Sequence, residues 1–592
     1  MDCLSPSTNT TPTISTSSFR HFFPKTSQLF ITKKRSNPHI SRLPISCKAT
    51  NADQQNPTTR RDILIGLGGL YGATTIGNDP SALAKPVAAP DLTKCGKADL
   101  PANALPTNCC PPPSTKILDF KLPSSNNPLR IRPAAHLADD AYVAKYSKAI
   151  ELMKALPDDD PRSFKQQASV HCAYCDGAYH QVGFPDLDLQ IHNSWLFFPF
   201  HRYYLYFYEK ILGKLIDDPN FALPFWNWDS PAGMQIPKMF VSPKSALYDQ
   251  YRHKSHQPPT LIDLDYSGTE SSYSNQEQLS SNLTIMYRQM VSNGKTAKLF
   301  FGNAYRSGDE PDPGAGSIEN IPHGPVHLWT GDSTQPNKED MGNFYSAGRD
   351  PIFFAHHANV DRMWTLWKTL GGSKRTEITD TDWLNAEFLF YDENANLVRV
   401  KVKDSIDYKK LGYGYQDVEV PWLKSKPTPR KVIKKIVKAL HHGQEAKAAE
   451  NNQNLTPISS FPLVLEKVTR VLVKRPKKSR SKKEKEEEEE VLLVDGIEFA
   501  RESAVKFDVY INDEDDSTST KPDKSEFAGS FVSVPHTHSH GTKMKTCLRL
   551  GLTDLLEDLG AEDDDEVLVT LVPRYGIGLV KIDAIKVDFA RD

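Results

Sequence analysis

The segment at 171–210, HCAYCDGAYHQVGFPDLDLQIHNSWLFFPFHRYYLYFYEK, decides the fold of this 592-residue chain. Its candidate metal ligands are His171, His192 and His201. A second set of three histidines lies downstream, in ENIPHGPVHLW (319–329) and DPIFFAHHANVDRMW (350–364). Neutral imidazoles bind copper, zinc, iron and nickel. Two sets of three, each among aromatic and aliphatic residues, predict two metal ions in one dry pocket, and hence redox chemistry with dioxygen rather than a structural zinc site.

The second set consists of His323, His327 and His357. On a helix, His323 and His327 would share one face about one turn apart. Pro325 is tolerated only in the first turn of such a helix, so we place His323 near a helix N-terminus. His357 opens another stretch with helical spacing of apolar residues, and Asp361 lies one turn beyond it. The carboxylate of Asp361 could hold a ring nitrogen or pair with an arginine.

Isolated histidines usually have structural roles. A single histidine on an apolar face is most often a hydrogen-bonded core residue, and a pair at this helical spacing also occurs by accident. We interpret His180 as an extra loop histidine. We interpret His356 as the neighbour of His357 that turns away from the metal toward a carbonyl group or an acid. The joint pattern of six histidines therefore carries the metal prediction.

The two histidine segments resemble the copper A and copper B motifs of the plant polyphenol oxidases (catechol oxidases), which belong to the type-3 copper family. The resemblance extends over roughly 91–422 and continues more loosely to the C-terminus. It implies two copper ions, the first bound by His171, His192 and His201 and the second by His323, His327 and His357.

Three further residues match motifs of this family. The resemblance implies a thioether between Cys175 and His192. It also implies a gate aromatic, Phe344, over the second copper and an acid, Glu319, that holds a water beside the site. From the residues alone, an ordinary buried thiol, a core or lid phenylalanine and a solvated loop acid near a helix start stay open as alternatives.

The chemistry of a copper pair agrees with this family. Two Cu(I) ions together supply two electrons to dioxygen, and a catechol gives up two electrons when it becomes an o-quinone. We therefore expect copper-dependent oxidation of o-diphenols to o-quinones, with dioxygen reduced to water. Gly324 follows His323, where some phenol-hydroxylating relatives carry asparagine, so we expect little monophenol hydroxylation. The alternatives are a tyrosinase or a specialised biosynthetic phenol oxidase and, from another class, a haemocyanin-like oxygen carrier.

Residues 1–84 have the composition of a targeting segment. The stretch 1–48 is rich in Ser, Thr and Pro and contains one acid, which is typical of a plastid transit peptide. Arg60 and Arg61 then precede an apolar run at 63–76 and a small-residue cleavage site, the features of a twin-arginine signal. The apolar run is too short to cross a bilayer. This order predicts the thylakoid lumen, and the alternative is a mitochondrial presequence or a weakly hydrophobic helix.

Cysteine usage is consistent with an oxidising compartment. The chain has eight cysteines, and those near the first histidine set, apart from Cys175, are Cys95, Cys109, Cys110 and Cys172. Neighbouring cysteines bond each other only with strain, so two pairings are realistic. The resemblance selects Cys95 with Cys110 and Cys109 with Cys172. Four reduced thiols are the alternative if the protein stays in the stroma.

Composition along the chain predicts three regions after the leader. Residues 85–424 form a mainly helical catalytic domain in which a four-helix bundle holds the dicopper site. Residues 425–490 form a linker and a charged loop, and 491–592 form a β-rich domain with half-buried strands. The KFDV sequence at 506–509 resembles the C-terminal domain of the family. That resemblance implies a β-sandwich that covers the copper pocket and keeps a latent proenzyme inactive until a protease acts.

The remaining signals are weaker. Tyr413-Gly414-Tyr415 resembles the tyrosine motif that ends the catalytic domain of the family and packs near an arginine, here Arg132; an ordinary strand end is the alternative. The HTHSH stretch at 536–540 is interpreted as a polar loop rather than a copper-capture site. A net charge of −2 gives no general nucleic-acid or membrane signal. The expected partners are a small phenol, dioxygen and an activating protease.

Overall fold

The computed structural model describes residues 85–124, 128–427, 455–513, 522–536 and 542–590. The targeting segment expected at 1–84, residues 428–454 of the expected linker, and His538 and His540 lie outside these residues. The described residues belong to one compact unit, in which a helical core (85–427) precedes a β-rich tail (455–590).

The core is mainly helical, as predicted. Its helices are α1 (Asp140–Lys154), α2 (Phe164–Cys175), α3 (Phe197–Leu215), α4 (Asn275–Tyr287), α5 (Ala297–Phe301), α6 (Gly324–Thr330), α7 (Phe344–Ala347), α8 (Ile352–Trp367) and α9 (Thr381–Asn385). Helix α1 packs on α2 and α3, α3 packs on α8, and α8 meets α2 where Phe353 contacts His171. These four helices pack around a large aromatic core. Among the residues with a described structure, no helix is both long and apolar enough to cross a bilayer.

The helix that carries His201 begins later than its sequence suggests. The sequence predicts a helix from His192 to Glu209, whereas α3 begins at Phe197 and leaves His192 in the preceding loop. Asn193 adopts a φ of 54°, a left-handed conformation that interrupts a helix. The loop therefore brings His192 to its position independently of α3.

Short strands join distant parts of the core. They are β1 (Ile117–Asp119), β2 (Arg130–Arg132), β3 (His180–Gln181), β4 (Phe184–Asp188), β5 (Glu387–Tyr391), β6 (Leu397–Lys401) and β7 (Tyr413–Tyr415). Strands β1, β6 and β5 form one sheet, and β3 pairs with β4. Strand β2 pairs in parallel with β7, which places Arg132 directly opposite Tyr415.

The tail is a β-sandwich, as predicted. Its elements are β8 (Leu463–Val464), β9 (Thr469–Lys474), α10 (Lys482–Glu487), β10 (Glu489–Ala500), β11 (Val505–Ile511), β12 (Phe527–Ser533), β13 (Lys543–Gly551), α11 (Thr553–Leu559), β14 (Glu566–Tyr575), β15 (Lys581–Ile582) and β16 (Ala584–Ala590). One sheet has the order β13-β10-β15-β8 with β16 also on β10, and the other has the order β12-β11-β14-β9. Both sheets contribute side chains to one apolar cluster, which lies between them.

The tail begins before the boundary that the sequence suggests. Strands β8 and β9 lie within 425–490, which we expected to be a linker and charged loop, and β9 pairs with β14 along its whole length. Val471 and Val473 point into the sandwich, but the strand is short and the basic run that follows hides its alternation. Part of the charged run is also ordered, because a capping box between Ser481 and Glu484 starts α10.

Candidate metal centre

The first set of histidines converges from α2, α3 and the loop before α3. His171, His192 and His201 are buried, and each offers a ligand atom within 4.8 Å of the other two. The Nδ1–H groups of His171 and His201 donate to the carbonyls of Phe344 and Phe197, both at 2.8 Å. A carbonyl only accepts, so both Nε2 atoms carry lone pairs, and neither has a partner among the described residues. A histidine whose second nitrogen is held by a carbonyl is prepared to bind a metal.

The second set comes from the start of α6 and from α8. The Nδ1–H of His323 donates to the carbonyl of Glu319 at 2.9 Å, and that of His327 donates to the carbonyl of Met341 at 2.8 Å. The Nε2 atoms of His327 and His357 face each other at 3.2 Å. Two nitrogen ligands of one tetrahedral ion are about 3.4 Å apart. This pair is therefore spaced for a shared ion, and His323 lies at a helix N-terminus as predicted.

Two further histidines differ in their position. His356 lies with the second set, and its Nδ1 accepts a hydrogen bond from the indole N–H of Trp228 at 3.2 Å. It thus faces an indole rather than the carbonyl or acid that we expected. His180 lies outside both sets, with its Nδ1 3.1 Å from the carboxylate of Asp188.

The two sets meet in one pocket. The rings of His201 and His357 stack with their centroids 4.2 Å apart and 12° between their planes. Burial lowers the pKa of His171 to about 4 and that of His327 to about 3. The pKa of His201 and His357 is also well below the usual range, again chiefly because both are buried. At neutral pH these rings are uncharged and can offer lone pairs to metal ions.

Two disulfides join the N-terminal arm of the core to this centre. The bonds are Cys95–Cys110 and Cys109–Cys172, the pairing that the resemblance implies. The second bond ends on α2, the helix that also carries a histidine of the first set. Cys175 is buried on the same helix and takes part in no disulfide with a described residue.

Phe344 lies over the first set of histidines. Its ring stacks on His192 at 4.2 Å with 21° between the planes, and it meets the ring of His171 edge-on at 5.6 Å. We expected this gate aromatic over the second copper, whereas its ring contacts histidines of the first set. Helix α7 begins at Phe344 and packs on α2, so the ring is directed toward the first set.

Glu319 is a buried acid rather than a solvated one. Its Oε1 accepts the backbone N–H of Asn193 at 2.5 Å, and its Oε2 has no partner in the described part of the chain. Burial raises the pKa of Glu319 well above its ordinary value.

Asp361 pairs with arginines, not with a ring nitrogen. It accepts from Arg202 at 2.6 Å, lies 3.3 Å from Arg132, and accepts the hydroxyls of Tyr413 and Tyr415. Burial alone would raise the pKa of Asp361, but the two arginines and the hydroxyls hold it below its ordinary value. Because Arg202 lies on α3 and Asp361 on α8, the pair ties together two helices that carry site histidines. The tyrosine motif packs near Arg132 as the resemblance implies.

The tail covers the pocket with the residues that follow β12. His536 is buried, and its ring stacks on Phe344 at 5.0 Å with 21° between the planes. The backbone N–H of Phe344 donates to the carbonyl of Pro535 at 3.4 Å. His536 is therefore part of an interface, whereas we expected the whole stretch from 536 to be a polar loop.

Strand β12 is held beside the second set by Asn320. The Asn320 side chain donates to the carbonyl of Ser530 and accepts the N–H of Val532 at 3.0 Å. A methyl group of Val532 fills the space above Gly324, where an added Cβ would lie only 2.9 Å from it. Sequence reasoning missed these residues, because their only signal is the pairing of two segments far apart in the chain.

Three segments match known protein families. Residues 161–370 match the common central domain of tyrosinase, 377–428 the polyphenol oxidase middle domain, and 461–589 the chloroplastic polyphenol oxidase C-terminal domain. A helical core with two histidine sets inside a tyrosinase central domain defines a protein of the type-3 copper class, and the two sets indicate a binuclear site.

Comparison with individual relatives identifies the family within this class. A chloroplastic polyphenol oxidase of Malus domestica is 64% identical over 601 residues, covering 100% of both chains. The structure of latent apple tyrosinase is 68% identical with a TM-score of 0.75, covering 80% of this chain and 100% of that one. Latent aurone synthase is 46% identical with a TM-score of 0.79, covering 85% and 99%. The chain belongs to the plant chloroplastic polyphenol oxidases of the tyrosinase family.

Proposed function

We propose that this polyphenol oxidase oxidises o-diphenols to o-quinones at two copper ions and reduces dioxygen to water. The observation that carries the proposal is the meeting of two sets of buried, uncharged imidazoles at the stacked rings of His201 and His357. A copper pair, when bound, supplies two-electron redox chemistry with dioxygen. Two catechols lose four electrons and four protons, which balances the reduction of one dioxygen to two waters.

We assign the first copper to His171, His192 and His201 and the second to His323, His327 and His357. Nδ1–H groups held by carbonyls support this assignment at His171, His201, His323 and His327. His192 and His357 are assigned from their places in the two sets. Copper analysis of a His327→Gln protein tests it. One copper per chain is the expected content, against two in the unchanged protein, and an unchanged content would contradict the assignment.

The surroundings of His323 favour o-diphenols over monophenols as substrates. Hydroxylation of a monophenol begins with loss of its hydroxyl proton, which requires a base. Glu319 has an Oε2 atom that can hold a water. Gly324 has no side chain to orient that water. Tyrosinase activity is the alternative, since the similar apple structure carries that name and Glu319 is present here.

We propose that the enzyme is made as a latent proenzyme. A phenol approaching Phe344 meets His536, and one approaching Gly324 meets Val532. The tail must therefore move or be removed before a substrate reaches the histidines. Within the proposed linker at 425–490, we place the activating cut before β8, because β8 and β9 pair with the sheets of the tail.

Oxygen uptake tests the substrate class and the latency together. Full-length, copper-loaded protein is assayed with 4-methylcatechol and with tyramine, before and after limited proteolysis. We expect rapid oxygen uptake with 4-methylcatechol only after proteolysis. This uptake should be at least tenfold faster than uptake with tyramine. Turnover of tyramine after a lag would instead indicate a tyrosinase. Reversible dioxygen binding without turnover of either phenol would indicate an oxygen carrier.

We further propose that Cys175 and His192 become joined by a thioether. Formation of the C–S bond removes one hydrogen from the thiol and one from the imidazole ring, and dioxygen at the copper site accepts them. The burial of Cys175 supports the proposal, since it keeps the thiol from competing oxidants. The bond would fix the ring of a loop histidine that α3 does not position.

We propose the thylakoid lumen as the location of the mature protein. The relative from Malus domestica is described as chloroplastic, and two disulfides suit an oxidising compartment. The expected leader at 1–84 has a transit peptide followed by Arg60 and Arg61. Import into isolated chloroplasts tests this location. Replacing both arginines with lysine should leave the protein in the stroma, and arrival in the lumen without them would exclude the twin-arginine route.

A further inference from the structure

A third group of possible metal ligands lies outside the two histidine sets, in the irregular segment between α3 and α4. It consists of His253, His256 and Glu270, and each offers one ligand atom within 4.8 Å of the other two. The proposed oxidation of phenols uses none of them. We propose that these three residues bind a divalent metal ion of the zinc class, separate from the copper pair.

His256 is held in the orientation of a metal ligand. Its buried ring lies at 4.3 Å from the ring of Trp329 and at 4.0 Å from that of His253. Its Nδ1–H donates to the carbonyl of Trp329, which leaves Nε2 as the nitrogen that can bind a metal. This Nε2 lies 2.9 Å from the carboxylate of Glu270. Two acceptors so close repel each other unless a proton or a metal ion lies between them.

His253 supplies a second nitrogen. Its Nε2 lies 2.8 Å from the hydroxyl of Ser333. When Nε2–H donates to that hydroxyl, the lone pair is on Nδ1, which is buried and has no hydrogen-bond partner among the residues described. The group therefore presents two imidazole nitrogens and one carboxyl group.

This donor set defines the class of ion. Two imidazoles and a carboxylate suit zinc, which accepts three protein ligands and a water. Ligand atoms on one zinc are about 3.4 Å apart, so the 2.9 Å separation of His256 and Glu270 must widen slightly around the ion. His253 and Glu270 can both move, because His253 is half-buried and the side chain of Glu270 is 60% exposed. The same exposure gives the ion a path from solvent.

A metal ion bound here would cross-link a segment of the core that contacts the tail. The ion would join His253 to Glu270 and close the loop between them. Within that loop, Asp265 pairs with Lys506 of the tail at 2.9 Å. Gly268 lies against the ring of Tyr575, another tail residue. The ion would therefore support the surface where core and tail meet.

Equilibrium dialysis of full-length, copper-loaded protein against Zn²⁺, followed by metal analysis, tests the site. One zinc per chain, with the copper content unchanged, is the expected result. The affinity for zinc should fall at least tenfold in His253→Gln and in Glu270→Gln, both of which alter residues that reach the surface. His136→Gln removes a half-buried histidine outside the group and is the matched control. X-ray absorption at the zinc edge should show imidazole nitrogen and oxygen ligands.

Three results would overturn the proposal. The first is no zinc beyond the copper sites, and the second is equal zinc binding by the unchanged protein and by both variants. The third is an equal loss of zinc in His136→Gln, which would show adsorption to histidines in general. Because zinc content is read without an activity assay, these results do not depend on the phenol oxidase function.

Discussion

Asn320 provides the sharpest test of how the tail covers the pocket. Its side chain donates to the carbonyl of Ser530 and accepts the N–H of Val532, both in β12. Asn320→Ala removes these two hydrogen bonds and leaves both backbone groups buried without them. Each such loss costs about 1–3 kcal/mol, so the closed arrangement should lose about 2–6 kcal/mol.

This cost falls on the closed state alone, because water replaces Asn320 as a partner once β12 has moved away. At about 1.4 kcal/mol per factor of ten, the opening equilibrium shifts by roughly 30-fold to 20,000-fold. The measured quantity is the rate of oxygen uptake with 4-methylcatechol by uncleaved protein, divided by the rate of the same protein after proteolysis. This ratio should rise at least 30-fold, or until it reaches one.

Asn220→Ala, at an exposed asparagine in the loop after α3, is the matched control and should leave the ratio unchanged. If uncleaved Asn320→Ala protein stayed as latent as this control, the reasoning about β12 would be refuted. A lower rate of the Asn320→Ala protein than of the unchanged protein, both after proteolysis, would also refute the reasoning. It would show that Asn320 acts within the copper pocket as well.

Asp361→Asn should lower the free energy of unfolding, measured by urea titration, by about 3–5 kcal/mol, because Arg202 stays buried without its carboxylate. The folded pKa of Asp361 is lower than its unfolded value. Its stabilising contribution is thus complete above about pH 4 and lost as the pH falls further, so the variant should lose less stability in acid than the unchanged protein. Replacing both cysteines of a disulfide with alanine should lower the free energy of unfolding by about 4 kcal/mol for Cys109–Cys172, which spans 63 residues, and by about 3 kcal/mol for Cys95–Cys110, which spans 15. A larger loss for Cys95–Cys110 would contradict the loop-entropy argument. Intact-mass measurement of copper-loaded protein should show two hydrogens fewer than the disulfides explain, and no such deficit in Cys175→Ser.

The histidine sets could be predicted from the sequence because metal ligands impose local constraints. His323 and His327 lie at helical spacing, and Pro325 is accepted only in a first helical turn, which is where the structure has it. The start of α3 could not be predicted in the same way. Asn193 takes a left-handed conformation, and its N–H is held by Glu319, a residue 126 positions away.

The contacts of the tail with the core lie at still larger sequence separations. The N–H of Val532 reaches Asn320 across 212 positions, and neither residue belongs to a motif that marks it. The position of Phe344 could not be read from the sequence for a related reason, since the packing of α7 on α2 decides which histidine set its ring meets. Local pattern thus identifies metal ligands, whereas long-range packing decides what covers them.

The contacts of Phe344 explain how the tail can leave the pocket without disturbing the histidine sets. Its ring stacks on His192 at 4.2 Å and on His536 of the tail at 5.0 Å. Its backbone carbonyl accepts the Nδ1–H of His171 at 2.8 Å. That hydrogen bond belongs to the core, so departure of His536 uncovers the ring while His171 keeps its orientation. A tail residue that itself held a copper would remove part of the site on leaving, whereas a tail that only stacks on Phe344 can leave the histidine sets intact.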